Sequence, residues 1–259
     1  MLVAVDVGNT NIALGLFSGD ALQASYRLHT DPQATADEYA FTVGGMLRGC
    51  LPADAAPLGS VLASVVPPLT PIFHQVLDDV CGRPPLVVDA GVKTGVPVKY
   101  EPPRDVGADR VVNAVAVQHE YGVPAVIIDF GTGTTFDALN RKAEYIGGAI
   151  APGLEISLDA LVARGAKLQK VELRRPPSVI GTNTPNAIQS GLVFGYVAMV
   201  EGMVVRFRRE LGDDLTVVGT GGLVDVVSRE TDAIDHVDRT LTLKGLRLVY
   251  ERNLGRGDG

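Results

Sequence analysis

Val126-Ile-Ile-Asp129-Phe-Gly131-Thr-Gly133-Thr-Thr-Phe-Asp-Ala-Leu139 has a counterpart near the start of the chain, Val3-Ala-Val-Asp6-Val-Gly8-Asn-Thr10-Asn-Ile-Ala-Leu-Gly-Leu-Phe17. Both read as a short apolar strand, an Asp-x-Gly step, a small polar turn and a second apolar strand. Val and Ile dominate the first strand of each copy, which suits a central place in a sheet. The glycine-containing turn suits a hairpin. A further return strand follows each time, at Ala21 to Leu28 and at Ala143 to Ile150.

Outward from the hairpins the apolar period becomes helical. In the first half the pattern predicts a helix over Thr35 to Leu51, a strand over Ser60 to Val66, a helix over Thr70 to Cys81 and a strand over Leu86 to Asp89. In the second half it predicts helices over Leu154 to Ala163, Thr184 to Leu211 and Leu243 to Leu254. A strand at Leu215 to Val218 runs into Gly219-Thr-Gly-Gly222, and Val111 onward looks helical. Hairpin-linked strands followed by β/α units, twice over, indicate an α/β protein of two related domains, residues 1–120 and 121–259. The proline-rich stretch Val96 to Pro103 and the turn at Gly122-Val-Pro124 are the expected joints.

An Asp-x-Gly turn between strands has a chemical use. Glycine lets backbone N–H groups approach a phosphate, and small hydroxyl residues add donors. The aspartate before the turn offers an anionic oxygen to a cation accompanying the phosphates. One such turn is common in hairpins; two in equivalent places could hold a polyphosphate from both sides of a cleft. Asn9, Thr10, Thr132, Thr134 and Thr135 supply amide and hydroxyl donors, and Gly219 to Gly222 forms a third close-approach loop suited to the adenosine end. No G-x-x-x-x-G-K-[ST] run is present, which excludes a P-loop, and no G-x-G-x-x-G opens a helix.

Composition narrows the class further. A chain of 259 residues that is 46% hydrophobic and 20% charged can bury a sizeable core, which excludes a disordered or coiled-coil protein. The formal net charge of -7 argues against a general nucleic-acid surface, and Arg206, Arg208 and Arg209 read as a solvated helix face. Two cysteines, Cys50 and Cys81, are too few for a disulfide framework or a zinc site and read as buried thiols of a reducing compartment. Met1 to Asp6 reaches a charge at once and lacks a basic leader, so no signal peptide is expected. The apolar run Gly191 to Val205 contains Glu201 and is shorter than the roughly 20 residues of a membrane span. It reads as a buried helix whose Gly191, Gly195, Ala198 and Gly202 pack closely on another helix, of the same chain or of a dimer partner.

The order D-x-G-x-T, D-x-G-x-G-T-T, G-T-G-G resembles the actin-like (ribonuclease H-like) ATPase superfamily of sugar kinases, chaperone ATPases and actin. Asp6-Val-Gly-Asn-Thr-Asn11, Gly107-Ala-Asp109-Arg110, Asp129 to Thr135, Gly147-Gly-Ala-Ile-Ala-Pro-Gly153, Tyr100 and Gly181-Thr-Asn-Thr184 together resemble the type III pantothenate kinases. The likeness spans residue 3 to about 225, with no departure at a functional position. It implies a duplicated actin-like fold, each domain a central mixed sheet flanked by helices. It implies a transferase that moves the ATP γ-phosphoryl group to pantothenate, giving 4'-phosphopantothenate in the first step of coenzyme A synthesis.

The resemblance also assigns residues. Asp6, Val7, Gly8, Asn9, Thr10, Asn11, Ile12 and Ala13 form the first ATP loop, and Thr132 contacts ATP from the second. Asp109 is the proton acceptor; Gly107, Ala108, Asp109, Arg110, Tyr100 and Thr184 line the pantothenate site. Asp129 holds a monovalent cation, potassium or ammonium, and magnesium accompanies the nucleotide. The family implies a cytoplasmic homodimer, with neither nucleic acid nor membrane as a partner. Taken without the family, Asp109-Arg110 also fits a surface ion pair at a helix start, Asp129 a turn aspartate and Tyr100 a packed loop aromatic. A polyol kinase, a nucleotide-dependent switch and a regulatory relative remain as alternatives at the level of sequence. His29, His74, His119 and His236 are scattered and receive no role.

Overall fold

The computed structural model describes residues 1–50, 59–89, 91–165 and 168–254. The first sheet contains β1 (Leu2–Val7), β2 (Asn11–Ser18), β3 (Ala21–His29), β4 (Gly59–Ser64) and β5 (Leu86–Val87), in the spatial order β3-β2-β1-β4-β5. β1 pairs antiparallel with β2 and parallel with β4, so the sheet is mixed. The second sheet contains β6 (Ala125–Phe130), β7 (Gly133–Leu139), β8 (Tyr145–Pro152), β9 (Thr216–Thr220) and β10 (His236–Val237). Read from β8, its order is β8-β7-β6-β9-β10, the topology of the first sheet repeated. The expected duplication is therefore present strand for strand.

Alternation along the strands builds a core on one face of each sheet. Val3, Val5, Val7, Ile12, Leu14 and Leu16 pack with α1 (Ala36–Arg48) and α2 (Thr70–Cys81) through Tyr39, Val43, Leu47, Phe73, Val76 and Leu77. Val126, Ile128, Phe130, Phe136 and Ala138 pack with α5 (Thr184–Leu211) and α6 (Val224–Ser228). The remaining helices are α3 (Ala108–Glu120), α4 (Leu154–Arg164) and α7 (Leu241–Asn253), with a 3-10 turn at Pro103–Asp105.

Helix ends follow local chemistry. Thr35 and Glu38 cap α1 reciprocally: the Glu38 carboxylate accepts from Thr35 N–H at 2.7 Å, and Thr35 Oγ1 accepts from Glu38 N–H at 3.3 Å. Asn183 Oδ1 caps α5 by accepting from Asn186 N–H at 2.9 Å. The final expected residue of the first helix, Leu51, lies outside the described residues. Cys81 is buried as expected, whereas Cys50 is half-buried, its sulfur 2.8 Å from the Tyr26 hydroxyl.

Two compact units emerge. One comprises Met1–Val96, Glu101–Ala116 and the chain from Leu241 onward; the other comprises Pro97–Tyr100 and Val117–Thr240. The chain passes between them around Val96 to Glu101, where the sequence places a joint, and inside α3 at Ala116, ahead of the turn at Gly122-Val-Pro124. A division at residue 120 assigns α7 to the second half, but α7 packs on β1, β2 and β4 of the first sheet. Its Leu241, Leu243, Leu246 and Val249 are all buried, and that apolar face is what draws it there.

α5 has the length and composition of a membrane span, yet Ile188, Val193, Tyr196, Val197, Val200 and Val204 are buried, the last four in the core of the second sheet. The small-residue stripe is turned outward. Gly191, Gly195 and Ala198 are exposed, and a Cβ added to Gly191 or Gly195 would meet nothing within 4 Å. Among the described residues no other helix reaches Gly191 or Gly195 to within that distance.

Candidate active site

In the first unit, Asp6 is half-buried near the end of β1, directly opposite Ala13 on β2 and Ala63 on β4. Alternation turns it away from the core face that Val5 and Val7 occupy. The turn that follows is pinned from two sides. Gly8 N–H donates to Asn11 O at 3.1 Å, Thr30 Oγ1 donates to Gly8 O at 2.7 Å, and Thr30 N–H donates to Thr10 O at 3.0 Å. Asn9 and Asn11 are left exposed on a turn held in shape by buried Thr30.

Gly107-Ala-Asp109-Arg110 opens α3. Gly107 O accepts from the N–H groups of Arg110 and Val111 at 3.1 and 3.2 Å, which makes Gly107 the capping residue and puts Asp109 in the first helical turn. A carboxylate is favoured there by the helix dipole. Asp109 Oδ1 accepts from Arg110 N–H at 2.8 Å, and Arg110 is 9% exposed, so the pair is no surface ion pair. Gly107 lies against Val65, to whose Cγ1 a Cβ on Gly107 would stand 3.4 Å away; Val65 N–H donates to Val7 O at 3.0 Å. The structure thus brings this motif beside the end of β1, where the Asp6-Val-Gly8 turn begins.

In the second unit Asp129 occupies the register of Asp6, opposite Thr135 on β7 and Thr220 on β9. Gly221 has φ +95°, and a Cβ there would lie 2.5 Å from Asp129 Oδ1 and 2.6 Å from Phe130 N. Only glycine fits so close to the carboxylate. The third glycine loop is therefore set against Asp129. Exposed Thr132 sits in the turn between β6 and β7, and the carbonyls of Gly131 and Thr132 crowd the Cα of Gly153, the residue before α4. Gly153 belongs to the quoted motif over 147–153 but received no role from sequence; its Pro-Gly step before a helix was the available signal.

Tyr100 ends a short strand-like segment added to β8: Tyr145 N–H donates to Pro97 O at 2.9 Å and Lys99 N–H to Tyr145 O at 2.7 Å. Thr184 is the first residue of α5 and lines a cavity of about 560 Å³ with Leu161, Leu168, Gly181 and Ile188. Tyr100 and Thr184 thus enter on different elements of the same unit.

The arrangement offers two glycine-lined carboxylate turns in matching registers and a helix-capping Asp-Arg pair beside one of them. A family model described as type III pantothenate kinase matches residues 2–206. A type III pantothenate kinase of Moorella thermoacetica is 52% identical over 257 residues, covering 98% of this chain and all of its own. One of Brevibacillus brevis is 47% identical over 253 residues, covering 98% of this chain and 99% of its own. Among solved structures, the ethanolamine utilization protein EutJ of Carboxydothermus hydrogenoformans superposes with TM-score 0.57 at 12% identity, covering 95% of this chain and 89% of that one. The ROK hexokinase of Thermus thermophilus superposes with TM-score 0.52 at 15% identity, covering 97% and 99%. These neighbours carry the actin-like fold alone.

Proposed function

Because the chain belongs to the type III pantothenate kinase family, we propose a division of labour among its residues for that family's reaction, the transfer of the ATP γ-phosphoryl group to pantothenate in the first step of coenzyme A biosynthesis. The polyol-kinase, switch and regulatory alternatives lose their ground against relatives about half identical over nearly the whole chain. The observation that carries the assignment is the G-A-D-R motif at the start of α3, beside the first phosphate turn.

Phosphoryl transfer is driven by positioning and charge neutralisation. Asp6 to Ala13 form the first ATP loop, whose pinned turn presents donors without reorganising, and Thr132 contacts ATP from the second loop. Asp109 accepts the proton of the pantothenate primary hydroxyl as its oxygen bonds to the γ-phosphorus and the bond to the ADP oxygen breaks. Arg110, planar and permanently charged, holds substrate carboxylate or phosphate. Gly107, Ala108, Tyr100 and Thr184 complete the acceptor site, Thr184 bringing the helix N-terminus that favours an anionic ligand.

Asp129 would hold the monovalent cation, potassium or ammonium, its carboxylate standing at a strand end against the bare backbone of Gly221, which has no side chain to crowd it. Magnesium binds chiefly through the ATP phosphates. When bound, these ions offset charge on the transferring group. A homodimer fits the exposed glycine stripe on α5 and the exposed Ile150, Val179 and Ile180. Cytoplasmic residence fits two unpaired thiols and a substrate drawn from the ATP pool.

The test is coupled ATP turnover with pantothenate and magnesium, potassium present or replaced by sodium, for the parent and Asp109→Asn. The variant should lose about 10²–10⁴-fold in kcat while both KM values change little. Undiminished kcat in Asp109→Asn would remove it as the base, and sodium matching potassium would remove the cation from Asp129.

A further inference from the structure

Asp137 has no exposed surface and stands in β7, the strand that leaves the second phosphate turn. Each of its oxygens accepts from a hydroxyl: Thr135 Oγ1 donates to Oδ2 at 2.8 Å, and Tyr145 OH donates to Oδ1 at 2.7 Å. A carboxylate buried this deeply is costly unless it is hydrogen-bonded, and an apolar side chain would serve packing alone. The two donors lead to different parts of the candidate site. Thr135 lies directly opposite Asp129 and closes the run Gly131 to Thr135. Tyr145, fully buried, fastens Pro97 and Lys99 through its backbone, and its ring centroid is 6.5 Å from that of Tyr100.

We propose that Asp137 is a positioning residue for both substrates, fixing the second phosphate loop through Thr135 and the pantothenate contact Tyr100 through Tyr145. The Tyr145 arm rests on the acceptor-site reading of Tyr100 given above. Thr135, Asp137 and Asp129 share the sheet face opposite α5, because Phe136, Ala138, Ile128 and Phe130 point into the α5 core. One buried acceptor thereby sets the spacing between a nucleotide loop and an acceptor-binding aromatic. A role in folding alone would lower the melting temperature and the active fraction but leave both KM values as they are.

The experiment compares steady-state kinetics and thermal unfolding of Thr135→Val, Tyr145→Phe, Asp137→Asn and Tyr100→Ala in the full chain. Tyr145→Phe should raise KM for pantothenate about ten-fold, the scale of one hydrogen bond to a charged group, and leave KM for ATP unchanged. Thr135→Val should do the reverse. Asp137→Asn should raise both, and Tyr145→Phe should add little on that background. If Asp137→Asn fails to fold, the two single-arm variants still decide the matter. Both KM values within two-fold of the parent in Thr135→Val and Tyr145→Phe would overturn the proposal. A rise in pantothenate KM for Tyr100→Ala, without one for Tyr145→Phe, removes the positioning role and spares the acceptor site. No rise for Tyr100→Ala overturns the acceptor-site reading of Tyr100 and the Tyr145 arm with it.

Discussion

Asp6 and Asp129 are each the fifth residue of a six-residue strand, and what differs is the surface they meet. Asp129 is pressed against Gly221, whose positive φ makes any side chain strained. Gly221→Ala should cost roughly 1–3 kcal/mol, read as a lower melting temperature; on the proposed cation role of Asp129 it should also raise the potassium concentration for half-maximal turnover. A second residue-scale consequence concerns Tyr121, whose hydroxyl donates to Asp238 Oδ2 at 3.1 Å and whose ring lies 4.9 Å from that of His236. Burial first, and the Asp238 charge second, push its phenol up to about 12. An unfolded phenol titrates near about 10, so this group's contribution is whole below that pH and is lost as pH rises through the folded value. Tyr121→Phe should flatten the alkaline fall in melting temperature across that window. The carboxylates proposed for the site could be singled out in sequence because each stands in a repeated or ordered motif. Gly153 and Asp137 were not, because their meaning depends on carbonyls and hydroxyls brought near by strand pairing, which no spacing encodes.

At the scale of elements, strong punctuation made boundaries readable. α2 and α5 run over the residues expected of them, α2 closed by left-handed Gly82 and α5 opened by an Asn183 cap with proline in its first turn. α3 begins three residues before Val111 because Gly107 caps it, and that places Asp109, expected at a helix start, inside the first turn. The five-residue α6 and two-residue β10 carry too little periodicity to be seen. The cap of α1 yields a test. Thr35→Ala should cost about 1 kcal/mol, measured by chemical denaturation. The Thr35 backbone N–H first, and its hydroxyl second, hold the Glu38 carboxyl below its ordinary range. That contribution is present above the unfolded carboxyl pKa and is lost as pH falls through the lower folded one, so Glu38→Gln should blunt the acid limb of the stability profile. The glycine spacing on α5 suggested helix packing, but period alone does not say which face meets the core. The larger Val and Tyr side chains took it.

Across the whole molecule, duplication was readable because two hairpins repeat the same polar step, and the identical sheet orders confirm it. The placement of α7 was hidden: an amphipathic helix shows that it needs a partner, not which sheet supplies one. It is fastened as well as buried, with Arg247 Nη1 2.5 Å from Asp20 Oδ1 at the β2–β3 turn and 2.8 Å from Glu251 Oε1. Ending the chain after Thr240 should therefore abolish the cooperative unfolding of the first unit, followed by calorimetry, while Val117–Thr240 keeps its own core. The same placement orders events during synthesis. On the ribosome the first sheet is made early, yet the helix that covers its second face emerges only after the entire intervening unit has been translated. At ordinary elongation rates that interval lasts on the order of ten seconds, during which nascent β1 and β4 stand open to chaperones while the later-made unit is free to fold first.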